Sequence, residues 1–200
     1  MGSKASELAT TETADRILRA FLRLVAERGI DATTTRLLAE AAGVNEVTIF
    51  RHFGNKASLA REAIRRWQPA HALSAYEVAI DSSSPASAAQ GLLDCLRFLR
   101  RHMQDHDELI QFGMGEYWRF SELREELAAA PRAARGLLLR ALTQAAPVLL
   151  PTVDLEVTAL SLLGLVFNSI IWQRRGWLDW SDAACDHALE AAIRPLLHVA

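Results

Sequence analysis

Cysteine, proline and glycine are scarce in this 200-residue sequence, with two, six and ten copies respectively, and twenty of its 22 basic residues are arginine. Each scarcity excludes something. Cys95 and Cys185 stand far apart on helical apolar patterns, so they form neither a disulfide framework nor a metal or redox spacing; they read as small buried hydrophobes of a reducing cytosol. Few glycines and prolines in a chain that is half hydrophobic exclude collagen-like and low-complexity disordered classes. Sustained apolar/polar alternation is missing, which argues against β-sheet, whereas Ala, Leu, Arg and Glu dominate; the expected class is all-α. No long uninterrupted hydrophobic run occurs. The most apolar stretch, Val157 to Trp172, contains Thr158, Ser161, Asn168 and Ser169 and falls short of the roughly 20 residues a bilayer span needs, so it reads as a buried helix and not a membrane anchor. A basic start followed by an apolar run and a small-residue cleavage site is also missing, and a cytoplasmic location is expected.

The chemistry of an enzyme is missing too. There is no glycine-rich phosphate loop, serine nucleophile elbow, zinc-protease pair or carboxylate pair in an apolar setting, so neither catalysis nor a cofactor is expected. His102 and His106 are four apart and can share a helix face, but no third ligand at a recognisable spacing accompanies them, and a solvated helix end is the default.

What is present is helical punctuation. Met1 to Thr11 reads as a loose polar arm. A first helix is expected from about Thr13, burying Ile17, Ala20, Phe21, Leu24 and Val25 and stopped by Gly29. Thr34 is expected to cap a short helix over Thr35 to Ala42. Gly43-Val44-Asn45 then forms a corner: Gly43 gives the turn its backbone freedom, Val44 plugs it, and Asn45 caps a second short helix to Phe53. Two short helices joined through such a turn form a helix-turn-helix, whose second helix enters the DNA major groove. The spacing alone equally suits a glycine-capped corner of any helical protein. Residues 12–70 carry ten basic against seven acidic side chains, while the remainder is acidic, which fits a nucleic-acid-facing domain on a non-binding body.

Beyond the corner, a helix with Leu59, Ala63 and Ile64 is interrupted at Pro69 and resumes through Leu73, Tyr76 and Ile80. Ser82 to Pro85 is a linker, and the helix after it carries Leu92, Leu93, Leu96 and Leu99. Asp105 to Phe120 reads as short or broken helix, Ser121 as the cap of a brief helix to Ala130, and Pro131 as the start of another. Thr152 is expected to cap a long helix, apolar on nearly every side, that ends at Arg174, Arg175 and Gly176; Ser181 caps the last one. Two late apolar helices exceed what so small a body covers, so either a second copy packs on them as a two-fold four-helix bundle or they lie at the centre of a compact monomer.

The segment TTTRLLAEAAGVNEVTIFRHFGNKASL, following a helix that ends at Gly29, closely resembles the DNA-binding region of the tetracycline-repressor (TetR) family of transcriptional regulators. The resemblance is carried by Thr33-Thr34, Ala42-Gly43-Val44, Phe50-Arg51-His52-Phe53, Asn55-Lys56 and Leu59, and covers roughly residues 12–60. It implies a helix-turn-helix DNA-binding domain over 12–60, with its motif at 34–53, and a helical effector-binding and dimerisation domain over 61–200. It further implies a homodimer through the last two helices, a pseudo-palindromic double-stranded operator, and repression relieved by a small-molecule effector. The expected DNA-facing residues are Thr34, Thr35 and Arg36, then Asn45, Glu46, Val47 and Thr48 at the start of the recognition helix, then Phe50, Arg51, His52 and Lys56. Arg36, Arg51 and Lys56 suit phosphate, Thr48 a base or phosphate, and Val47 a thymine methyl. Glu46 either accepts from a cytosine amino group or serves only as an acidic residue at a helix start. Phe50, where the family more often has Tyr, either touches DNA through apolar contact or belongs partly to the core. His52 donates to phosphate or caps local backbone.

Effector candidates are aromatic or polar residues on apolar segments: Trp67, Phe98, Met103, Phe112 and Trp118 in the middle of the chain, and Phe167, Asn168 and Trp172 in the long late helix. Glu116 joins them as a source of polarity. For each, core packing is the default reading and effector contact the alternative. An aromatic-rich lining suggests a hydrophobic or aromatic effector. The alternative function is a helical small-molecule-binding or sequestering protein that keeps the corner as scaffold.

Overall fold

The structure, a computed structural model, describes the backbone of residues 2–67, 69–116 and 121–198 and the side chains from Thr11 onward within those spans, Glu116 and Glu122 excepted. The described residues form α-helices, short 3-10 turns and a single antiparallel bridge between Leu149 and Leu197, as the composition requires. The chain divides into two compact units, residues 1–68 with 106–128 and residues 69–105 with 129–200. The first therefore takes in the whole segment expected over 12–60 and adds a stretch from much later in the sequence.

In the first unit, α1 (Gly2–Ala32), α2 (Thr35–Ala42), α3 (Glu46–Phe53) and α4 (Lys56–Arg66) are joined by α7 (Asp107–Glu116). α1 begins at Gly2, so the expected loose arm before Thr13 is helical. Residues 3–12 lack an apolar stripe but also lack proline and glycine, and nothing in them stops a helix running back from the buried face. Its path breaks at Gly29, which sits at φ 79°. The buried face is the expected one: Ile17, Phe21 and Val25 pack with Leu38, Ile49, Leu59 and Ile64, and Phe112 of α7 joins them, its ring 6.2 Å from that of Phe21. Ion pairs Arg66–Asp15 at 2.9 Å and Arg61–Glu126 at 3.3 Å fasten its surface.

The second unit contains α5 (Ala70–Ala75), α6 (Pro85–Asp105), most of α8 (Arg124–Ala145), α9 (Leu155–Arg174) and α10 (Asp182–Ile193). Its core joins Leu92, Leu96 and Leu99 of α6 to Leu137, Leu138, Ala141 and Leu142 of α8, with Val166, Ile170, Leu189 and Ile193 closing it. Burial pushes the Cys95 thiol up to about 11, and Cys185 also rises through burial, so both behave as the inert buried hydrophobes expected. Arg100, almost fully buried on α6, donates to Asp182 at 2.9 Å and Gln173 at 3.0 Å, and Arg97 pairs with Asp186 at 2.8 Å; together they fix α6 to the start of α10.

Several expectations need correction. The helix after Pro69 ends at Ala75, and Tyr76 to Asp81 run as irregular chain. Long-range side chains hold this segment: Gln144 accepts from Ile80 N–H and donates to Val78 C=O, and Arg140 donates to Tyr76 C=O at 3.4 Å. Pro131 starts no helix and instead lies exposed inside α8, because the Ala128-Ala129-Ala130 run before it favours helix strongly enough to absorb one missing N–H. Asp154, not Thr152, caps α9, accepting from Glu156 and Val157 N–H; its carboxylate reaches both where the preceding turn carries Thr152 away.

α9 is the largest departure. It buries Ala159, Leu162, Val166 and Ile170, yet leaves Val157 61 %, Leu160 64 % and Trp172 46 % exposed, where burial on most faces was expected. A helix apolar all round but covered on one side only has an unfilled face.

Candidate nucleic-acid interface

The corner is closed by its own backbone. Gly43 adopts φ 64°, ψ 41°, the left-handed conformation in which an added Cβ costs about 1 to 2 kcal/mol. This lets Gly43 N–H reach Glu40 C=O at 3.3 Å and Val44 N–H reach Ala39 C=O at 3.0 Å, satisfying the end of α2 while half-buried Val44 packs on the first-unit core. Asn45 then begins α3 at once, its Oδ1 accepting from Val47 N–H at 3.0 Å. Thr34 performs the same service for α2, accepting from Leu37 N–H at 3.2 Å, and Asn55 for α4, accepting from Ser58 N–H at 2.8 Å. Buried Thr33 donates to Gly29 C=O at 2.9 Å, which ties the break in α1 to the start of the motif.

On α3 the periodicity separates inside from outside. Ile49 is buried and Phe53 half-buried against the core, whereas Val47 is 71 % and Phe50 52 % exposed, with Arg51 exposed beside them. Thr48 is half-buried between the two faces. Phe50 also borders a small internal gap beside Ile49, Phe53 and Leu59, so its ring is partly core as well as exposed.

The remaining expected contacts fall into groups. Thr34 and Arg36 are exposed on the first turn of α2, and Arg36 pairs with Glu40 at 3.2 Å, an arrangement that leaves it solvated. Thr35 donates its hydroxyl to Glu46 Oε2 at 2.8 Å, so these two residues are bound to each other across the corner. The ammonium of Lys56 donates to Ile30 C=O, joining the start of α4 to the end of α1. His52 is half-buried with its ring 5.8 Å from that of Phe53, and borders an open groove of about 400 Å³ with Asp15, Glu62 and Arg66.

The effector candidates are divided. Trp67, under the guanidinium of Arg19 at 5.6 Å, and fully buried Phe112 belong to the first unit. Phe98 and Met103 on α6 and Phe167 on α9 are half-buried in the second, where Phe98 stacks between Tyr76 at 3.9 Å and His102 at 5.7 Å. Asn168, which donates to Gly164 C=O, and Trp172 lie on the exposed side of α9. Trp118 lies outside the described residues, as does the side chain of Glu116.

Comparison with known proteins gives these features a context. Residues 17–63 match the model of bacterial regulatory proteins of the tetR family. A helix-turn-helix-type transcriptional regulator of Bacillus subtilis, YvkB, itself uncharacterised, is 28 % identical over 127 residues, which cover 64 % of this chain and 64 % of that protein, a little under two thirds of its length. Among solved structures, NalD of Pseudomonas aeruginosa, the secondary repressor of the MexAB-OprM multidrug efflux pump, superposes with a TM-score of 0.68 at 24 % identity over 94 % of this chain and 98 % of that one. A TetR-family transcriptional regulator of Cytophaga hutchinsonii gives 0.70 at 17 % identity, over 96 % and 98 %. At these identities the structural likenesses establish the fold.

The Thr35–Glu46 bond is what sequence reasoning missed: a threonine eleven residues before a glutamate carries no periodic signal. Its energetic weight is open to a double-mutant cycle. Thr35→Val and Glu46→Ala should each lower unfolding free energy in urea by about 1 kcal/mol, with the double variant losing less than the sum. Strict additivity would mean that the two side chains do not interact.

Proposed function

We propose that this chain, whose residues 17–63 match the model of the tetR family of bacterial regulatory proteins, is a repressor of that family that binds a pseudo-palindromic operator as a homodimer. The observation that carries the reading is the outward face of α3. A helix of eight residues, capped by Asn45 and anchored inward by Ile49, presents Val47, Phe50 and Arg51 to solvent, a reading surface of the size one major groove accepts. Thr34, Arg36 and Thr48 lie where they meet the backbone or base edges beside it. His52 and Lys56 contribute through phosphate, Lys56 by the N–H bonds its ammonium retains after donating to Ile30.

The homodimer forms through α9 and α10. The exposed Val157, Leu160 and Trp172 favour this arrangement over a monomer, because a second copy of the same face would cover them isologously. The effector is a small hydrophobic or aromatic molecule taken up by the second unit, where Phe98, Met103 and Phe167 offer half-buried apolar and aromatic surface. Its binding lowers operator affinity by changing the spacing of the two α3 helices, which must match half-sites about one helical turn apart.

Two measurements test this reading. Arg51→Ala should weaken binding to DNA from upstream of the protein's own gene by about tenfold or more while leaving the thermal midpoint within about 1 °C, since the side chain is exposed and its contact is with phosphate. Equal loss of binding and stability would make Arg51 structural. Light scattering at micromolar concentration should give about twice the 22.1 kDa chain mass, and a monomer mass would remove the dimer.

A further inference from the structure

The hydrogen-bonding side chains at the start of α3 are committed to the corner. Asn45 accepts from Val47 N–H through Oδ1 at 3.0 Å, and Glu46 accepts from Thr35 through Oε2 at 2.8 Å. Thr48 is half-buried, whereas the residues that stand out from the helix are Val47 and Phe50. They are three apart and so share a face. No charged side chain lies between them on that face, and Arg51 is the next exposed group along the helix.

An apolar pair at the centre of a reading face has one kind of complement in the major groove. Hydrogen-bond donors and acceptors line every base edge there, and among the four standard bases thymine alone adds a methyl group, at C5. A base edge offering only polar atoms would be desolvated against Val47 and Phe50 without compensation. We propose that Val47 and Phe50 are specificity-determining residues that read thymine 5-methyl groups, so that each operator half-site carries at least one thymine recognised by apolar contact and not by hydrogen bonding. Arg51 then positions the helix by its phosphate contact, and the Thr35–Glu46 bond keeps the Glu46 carboxylate turned to α2. The inference rests on the operator-reading function proposed above.

The test changes the DNA before it changes the protein. Full-length protein is used to select duplexes from a randomised library, and each thymine of the selected half-site is replaced in turn by deoxyuridine, which removes the methyl and leaves every hydrogen-bonding group in place. At least one replacement should weaken binding by about 3- to 10-fold, the scale of one buried methyl or slightly more. Val47→Ala or Phe50→Ala should bring that thymine-to-uracil ratio below about 2-fold, whereas Arg51→Ala should lower affinity for both duplexes alike. A selected operator whose every thymine tolerates uracil overturns the inference and leaves operator reading intact, as does full discrimination retained by both Val47→Ala and Phe50→Ala. If no duplex is enriched, operator reading itself fails and the inference fails with it.

Discussion

Gly43 holds the backbone at φ 64°, ψ 41°, and the direction in which α3 leaves the corner depends first on that one left-handed residue. An eight-residue helix has too few hydrogen bonds to be stable alone, so its direction is set entirely by what precedes it and what it packs on. The turn supplies the first constraint, through the paired bonds of Gly43 and Val44 to Glu40 and Ala39. Packing of Ile49 and Phe53 on the core built around Phe21 supplies the second. Thr35 and Glu46 add a third by joining the first turns of α2 and α3. With three constraints on two turns of helix, Val47, Phe50 and Arg51 are held in fixed relation to the core, which lowers the ordering cost of the DNA docking proposed above.

The second unit is organised around a different need. Its core is dense with leucine and alanine, yet α9 keeps one apolar face uncovered. By length and hydropathy α9 could span a bilayer, but Ala159, Leu162, Val166 and Ile170 are committed to the core of the unit. A helix buried on one side and apolar on the other suits the partner helix proposed above, and the ion pairs of Arg97 and Arg100 with Asp186 and Asp182 fasten α10 to α6.

Legibility in the sequence tracked the range of the interaction. Thr34, Asn45 and Ser181 were readable as caps because each acts on an N–H two or three residues away, and Gly43 because its conformation is local. The buried face of α1 and the leucines of α6 were readable from period alone. What escaped depended on distant parts of the chain or on competition between weak signals. Phe112 joins a core built mainly by α1 to α4, which lie 40 or more residues earlier, and Tyr76 to Asp81 lost their apparent helix to Gln144. Pro131 and Asp154 were settled by neighbours that outweighed the nearest punctuation mark. At the candidate site the face of α3 was legible, while the mutual engagement of Thr35 with Glu46, and of Lys56 with Ile30, was not.

The proposed binding of duplex DNA by α3 and its flanks, through phosphate as well as base contacts, is addressed most directly by salt dependence. Fluorescence anisotropy of a labelled duplex from upstream of the protein's own gene, titrated with full-length protein between about 50 and 200 mM salt, should show log affinity falling linearly with log salt, by roughly 10³-fold for a dimer with several phosphate contacts per half-site. Affinity that is weak and unchanged across that range would contradict the account, and would leave the corner as scaffold for a helical binding protein.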